Sequence, residues 1–298
     1  MMALSMPARG IEAADRRFGW MMTAPGLAAL MLVVAFPLFF TIFTSGFDYT
    51  LINQSYDSFI GLENYRTAFA EEYFAQSLWV TLKFVVAVVA LEFLIGFTVA
   101  LMLNSVTRFK DFYYLILLMP LLINPVVVAL IWRMLLHPEL GIVNYLLGLI
   151  GIPKINWLGD AAIAFWTVVM TDIWHQVSFM IVLLLAGLAS LPKEPYEAAR
   201  MDGASTLQAF FHITLPLMRP VIVVTLLIRM IFAVKTFDLI YIMTRGGPGT
   251  ATDMISYFIY RSAFFGLDIG QASAISVVLL VIVLALTGYL YRYMRSLA

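Results

Sequence analysis

Residues 191–220 read LPKEPYEAARMDGASTLQAFFHITLPLMRP. Pro195 suits the first turn of a helix, where its missing N–H removes no bond, and Glu194 and Glu197 suit the positive end of that helix. The spacing predicts a short helix over 196–201. Gly203 permits a backbone conformation denied to other residues and marks a break, after which Ser205 or Thr206 can cap a second helix. Phe210, Phe211 and Ile213 give the second helix an apolar side, and Pro216 and Pro220 are expected to end it. A helix, a glycine turn and a second helix lying across a membrane face suit docking into a cleft on a soluble partner.

Outward from this segment the chain is apolar. Of its 298 residues 62% are hydrophobic and 12% charged, against roughly 45–50% and about 25% in soluble domains. Lipid solvates side chains that water rejects, so the composition sets an all-α membrane class. The 18 basic residues balance the 18 acidic ones, so no net positive charge points to nucleic acid. The absence of cysteine excludes disulfides, iron–sulfur ligation and thiol chemistry. His137, His175 and His212 stand far apart in sequence, so no metal site is expected.

A membrane helix needs about 20 mostly apolar residues to cross about 30 Å of hydrocarbon. Six stretches qualify: 18–47, 77–103, 111–136, 161–191, 217–243 and 269–291. The first is far longer than the roughly 7–15 residues of a signal-peptide core and reads as an uncleaved anchor. Six crossings put both termini on one side. Arg9, Arg16 and Arg17, then Arg108 and Lys110, Lys193, Arg200 and Arg219, and finally Arg292 and Arg295 all fall on that side, against Arg66, Lys154, Arg245 and Arg261 on the other. By the positive-inside rule both termini and residues 191–220 are cytoplasmic. The opposite connections carry Asp48, Asp57, Glu63, Glu71, Glu72, Glu139, Asp160, Asp253 and Asp268 and read as water-facing docking surfaces. No internal repeat is evident, so one membrane domain is expected.

An ionisable group near the middle of a membrane costs about 2.5–3.5 kcal/mol on insertion scales and therefore faces a wet cavity or a partner. Asp172, His175 and Gln176 share one helix face at i, i+3 and i+4. Arg229, Lys235, Thr236 and Asp238 lie in the middle and outer half of the fifth stretch. These residues either line a solute path or neutralise one another, Lys235 with Asp238 and Asp172 with Arg229. Glu92 reads as an interhelical hydrogen-bonding group, and Trp132 and Arg133 as interface anchors or contacts to an external protein.

The run EAARMDGASTLQAFFHITLP resembles the EAA loop of the membrane subunits of type I ATP-binding-cassette importers, with Glu197, Ala198, Ala199, Asp202, Gly203, Ala204, Phe210, Ile213, Leu215 and Pro216 at the family's spacing. Glu92 with Gly96, Pro120 with Pro125, Trp132, Gly141, Asn144, FDLIYIMTRGGPGTAT (237–252) and GQASAISVVL (270–279) resemble the carbohydrate branch, on the side of the larger permease of maltose, glycerol-phosphate and polyol transporters. RFKDF at 108–112 departs from the family's basic-glycine pattern.

The resemblance implies a type I permease fold in the bacterial inner membrane. It implies a cytoplasmic tail over 1–19, a first transmembrane helix over 20–47, a permease core over 73–293 with its coupling loop at 192–216, and a cytoplasmic tail over 294–298. Glu197 is then expected to pair with a basic residue of an ATPase. Ala198 and Ala199 permit close approach, Gly203 supplies the turn, and Asp202 and Ala204 complete the loop. The faces carrying Asp172, His175, Gln176, Phe179, Arg229, Lys235, Thr236 and Asp238 would line a sugar path, with Trp174 and Phe179 able to stack on sugar rings. The implied partners are a second homologous permease, two ATPase subunits, a periplasmic or lipid-anchored solute-binding protein, a sugar-like solute and membrane lipid. ATP and Mg would sit on the ATPase subunits and no cofactor on this chain, which has no GxxxxGK[ST] phosphate loop and is not an enzyme. Two alternatives are a secondary transporter with Asp172 and His175 relaying protons, and an intramembrane hydrolase, for which no paired catalytic carboxylates or ligand cluster is evident.

Overall fold

The computed structural model describes residues 8–106 and 108–295. Residues 1–7 and 296–298 of the two expected tails lie outside the described residues. Among the described residues the chain is helical, with only two isolated bridges, Phe47 with Phe59 and Thr50 with Asp268. Helix α1 (Ala8–Leu30) passes through a π turn at Met31–Ala35 into α2 (Phe36–Thr44). The remaining elements are α3 (Glu63–Ala70), α4 (Glu72–Ser105), α5 (Lys110–Leu118), α6 (Pro125–Leu135), α7 (Ile142–Leu149), α8 (Ala161–Ala189), α9 (Glu194–Met201), α10 (Thr206–Ala209), α11 (Leu215–Val234), α12 (Asp238–Met243), α13 (Ile255–Phe264) and α14 (Ile269–Arg295).

Five helical stretches among the described residues are long and apolar enough to cross a membrane: Arg17–Thr44, Glu72–Ser105, Ala161–Ala189, Thr206–Met243 and Ile269–Tyr289. The expected third crossing is not one helix. It is split into α5 of 9 residues and α6 of 11, separated by a tight turn at Pro120–Leu122. Pro120 and Pro125 donate no backbone hydrogen bond, and residues ahead of a proline favour extended backbone, as Asn124 does at φ −60°, ψ 135°. Asn124 then caps α6 by accepting from the Val126 N–H at 2.9 Å, with Pro125 in the first turn. Two carbonyls at this break are satisfied from α8, where Ser178 donates to Leu117 O and His175 Nε2 to Ile123 O at 3.0 Å.

Two further expectations are corrected. Pro216 and Pro220 do not end the second loop helix, because α10 runs through a π turn at Phe210–Thr214 straight into α11. Pro216 falls in the first turn of α11, where its missing N–H is tolerated, and Pro220 lies inside the helix on its exposed side. The fifth stretch in turn is not continuous, since residues 235–237 are unwound between α11 and α12.

Helices α4, α8 and α11 form the centre. Val80, Phe84 and Val88 of α4 pack with Val168 and Val169 of α8 and with Ala233, Leu239 and Ile240. Nearer the 190–214 connection, Phe97 and Ala100 pack with Met180, Leu184 and Leu188 and with Met218 and Ile222. A Cβ on Gly96 would lie 2.9 Å from Met180 Cγ, and one on Gly187 2.7 Å from a Val221 methyl. The missing side chains let α4 meet α8, and α8 meet α11, at short range, which is how helices gain dispersion energy in lipid.

At the opposite end Asn144 spends its whole amide on the chain. It donates to Pro138 O (3.0 Å) and Ile155 O (2.9 Å) and accepts from Ile155 N (3.3 Å) and Trp157 Nε1 (2.9 Å), pinning the connection between α6 and α8. Arg133, on the exposed side, donates to Ile242 O at 2.9 Å and joins α6 to α12, while Trp132 meets Trp174 edge-on at 5.6 Å.

Candidate functional site

The 191–220 segment folds into a rigid elbow. Pro195 sits in the first turn of α9. At the other end Gly203 adopts φ +75°, its N–H reaching Arg200 O at 3.1 Å, and the Ala204 N–H reaches back to Ala199 O at 2.9 Å. This pair of bonds closes the last turn in a Schellman motif, which needs a left-handed residue at the position Gly203 holds. A Cβ there would touch nothing within 4 Å, so backbone angle and not crowding demands the glycine. Ser205 and Gln208 then form a reciprocal capping box at 3.3 and 2.7 Å, starting the second arm. The Tyr196 hydroxyl donates to Thr214 Oγ1 at 3.0 Å and braces the two arms.

Between the arms lies a groove of about 350 Å³ lined by Ala199, Asp202, Gly203, Ala204, Gln208 and His212 among others. Glu197, Ala198, Asp202 and Gly203 are exposed, and Ala199 and Ala204 half-buried. Met201 is 89% exposed, and Leu207 and Phe211 also stand out from the elbow. Large apolar side chains displayed on an otherwise polar segment mark a surface for another protein.

The second cluster lies in the centre of the helix bundle. Arg229 of α11 grips both carboxylate oxygens of Glu92 on α4, one through Nε and one through Nη2 at 2.8 Å, and also pairs with Asp172 of α8. All three side chains are sealed from solvent. Charge-assisted bidentate pairing of this kind is the strong form of the interaction. His175 is buried too, its Nδ1 accepting from the Gln176 amide at 3.0 Å while Nε2 serves the α5–α6 break. Asp172 therefore pairs with Arg229, while the His175 ring nitrogens bond Ile123 O and the Gln176 amide.

The other polar candidates remain open. Gln176, Phe179, Thr236 and Asp238 are half-buried and Lys235 exposed, with Lys235 and Thr236 in the unwound turn at 235–237. Lys235 and Asp238 make no ion pair with each other among the described residues. Phe179 packs on Phe232, with ring centres 5.6 Å apart. Sequence reasoning separated Glu92 from this neighbourhood and did not single out Phe232 or the Tyr196–Thr214 brace. The one available signal was that Glu92, Asp172 and Arg229 each interrupt an apolar run far from its ends.

Away from the spans, burial pushes the Asp253 carboxyl up although Arg261 pairs with it at 2.8 Å. Lys154 beside Glu139 holds that carboxyl below its usual range, and because both side chains are exposed the pair adds little stability.

Residues 92–296 match the family of binding-protein-dependent transport system inner membrane components. The chain belongs to this family. It is the membrane-spanning permease subunit of an ATP-binding-cassette importer and is not itself an enzyme. The trehalose/maltose transport system permease protein MalF of Thermococcus litoralis is 36% identical, covering 92% of each chain. The sulfoquinovosyl glycerol transport system permease protein SmoG of Agrobacterium fabrum is 35% identical over 97% of this permease and 94% of that one. A bacterial alginate ABC transporter, solved in complex with an alginate pentasaccharide-bound periplasmic protein, contains a chain that superposes with a TM-score of 0.84 at 25% identity over 96% of both chains.

Proposed function

We propose that the permease carries a sugar or related polyhydroxylated solute across the inner membrane, driven by two ATPase subunits that engage the elbow at 192–216. The observation that carries this reading is the elbow itself: a capped, braced turn that displays Glu197, Ala198, Met201 and Asp202 to solvent. Glu197 takes a basic residue of the ATPase, and the small Ala198 and Ala199 permit its close approach. ATP and Mg stay on those subunits. The α5–α6 pair supplies the third of six crossings, which leaves both termini and the elbow in the cytoplasm, in keeping with the distribution of Lys and Arg.

The solute path runs between this chain and a second, homologous permease, along the open face of Gln176, Phe179, Lys235, Thr236 and Asp238. Asp172, His175 and Arg229 stand behind that face and shape it. Phe179 with Phe232 offers ring faces for stacking, and the amide, hydroxyl and charged groups offer hydrogen bonds to sugar hydroxyls. A periplasmic or lipid-anchored binding protein delivers the solute. The relatives named for trehalose and maltose, for sulfoquinovosyl glycerol and for alginate share polyhydroxylated cargo, and the exposed Lys235 accommodates an acidic member of that class.

Reconstitution tests this directly. In proteoliposomes holding both permeases, the ATPase and a sugar-loaded binding protein, uptake requires ATP and stops when the ATPase is left out. Uptake that persists without the ATPase and collapses with the proton gradient would overturn the reading.

A further inference from the structure

The elbow is continuous with both α8 and α11, and a line of close contacts leads from it to the centre of the bundle. Gly187, in the last turn of α8, lies against Val221 in α11, and Met218 is buried there. Further in, Gly96 of α4 receives Met180 of α8. Deepest of all, Arg229 of α11 joins Glu92 of α4 and Asp172 of α8. Each level fastens a pair of the same three helices, and the innermost fastens all three through one guanidinium. Close-packed glycine contacts resist tilting, and a bidentate ion pair out of water resists sliding, because displacement leaves a buried charge unpaired.

We infer that Glu92, Asp172 and Arg229 are positioning residues for coupling: they clamp α4, α8 and α11 into one body, so that a stroke delivered at the elbow moves α4 together with the two helices that flank the loop. Helix α4 has no covalent route to the elbow except through the α5–α6 region, which is broken at Pro120 and Pro125 and therefore a poor strut. The clamp supplies the route that the backbone lacks. Two positions of the rigid elbow then become two positions of a three-helix block, not a local bending of α8 or α11. The inference rests on the proposed role of the elbow, but the clamp can be measured separately from it.

The chain contains no cysteine, so introduced pairs can be labelled cleanly. Spin labels at Leu94→Cys on α4 and Val224→Cys on α11, both in the same turn-level region as the clamp, report the separation of the two helices in the complete complex with its ATPase. The expected result is one distance distribution, unchanged between the nucleotide-free and the ATP-trapped complex. In the neutral triple variant Glu92→Gln, Asp172→Asn and Arg229→Gln the same pair gives distributions that differ between the two states. ATP hydrolysis stimulated by the loaded binding protein is retained in that variant, while uptake per ATP falls at least tenfold. A native distance that changes between the states overturns the clamp, and so does a neutral variant that transports at the native ratio of uptake to hydrolysis. If the triple variant fails to assemble, the native distance alone still decides. Failure of the elbow reading shows elsewhere, as normal uptake by Glu197→Lys.

Discussion

Gly203→Pro lowers ATP-driven uptake at least tenfold while the chain still inserts. Gly203 holds φ +75°, and proline fixes φ near −65°, so the turn between α9 and α10 cannot form as it stands. The substitution also removes the N–H that reaches Arg200 O at 3.1 Å, and with it half of the motif closing α9. Nothing in the helix bundle depends on that bond, so membrane insertion and packing are spared. Gly203→Ala is the graded control. Its methyl group meets no neighbour, leaving only the left-handed penalty of roughly 1–2 kcal/mol. Uptake by the alanine variant therefore falls between the native and proline proteins. Parallel assays of uptake and ATP hydrolysis in proteoliposomes check both. Proline and native proteins with equal uptake would show that the elbow geometry is not used.

Arg229→Met has the largest expected effect on stability. Among the described residues the guanidinium is the sole cation joined to Glu92 and Asp172 in their ion pairs, and removing it leaves two carboxylates facing each other in a sealed site. Breaking a buried pair by deleting one partner costs about 3–5 kcal/mol, a large share of the roughly 5–15 kcal/mol that separates typical folded and unfolded states. The amount of intact complex recovered from membranes falls severalfold, measured by size-exclusion of the solubilised protein. Neutralising both carboxylates alongside Arg229 removes the stranded charge and restores most of the yield. Arg229→Met recovered at native yield would mean that the three groups are not mutually dependent.

The elbow was legible because its signals are local. Pro195, Gly203 and the Ser205/Thr206 pair act within one or two turns; Pro195 and Gly203 are found in the expected roles, and of the two cap candidates it is Ser205 that caps, with Gln208 as its unforeseen partner. The prolines that follow misled for the converse reason. A proline ends a helix in water, but Pro216 sits in a first turn behind a π turn and Pro220 inside a long apolar span, and neither accommodation is written in the proline itself. At Pro120 and Pro125 the same residue type does break the helix, helped by Asn124 as a cap and by Ser178 and His175 as donors from α8. Hydropathy is blind to this distinction because it averages over about 19 residues.

The central ion cluster was legible only in pieces. Helical periodicity places Asp172 and His175 on one face, yet the two side chains serve different neighbours, because the bond each makes is decided by a helix far away in sequence. The pairing of Asp172 with Arg229 was among the sequence alternatives. That Glu92 completes it depends on how α4 packs on α8, where Gly96 receives Met180, and this is a contact between segments far apart in sequence.

The most direct test of the elbow as the point where the ATPase engages is a labelling experiment on Met201, 89% exposed beside Glu197 and Asp202. In inside-out vesicles carrying both permeases but no ATPase, a Met201→Cys variant reacts with a membrane-impermeant maleimide, and adding the ATPase shields it. A cysteine that reacts only from the opposite face of the membrane, or equally fast with and without the ATPase, would contradict the account.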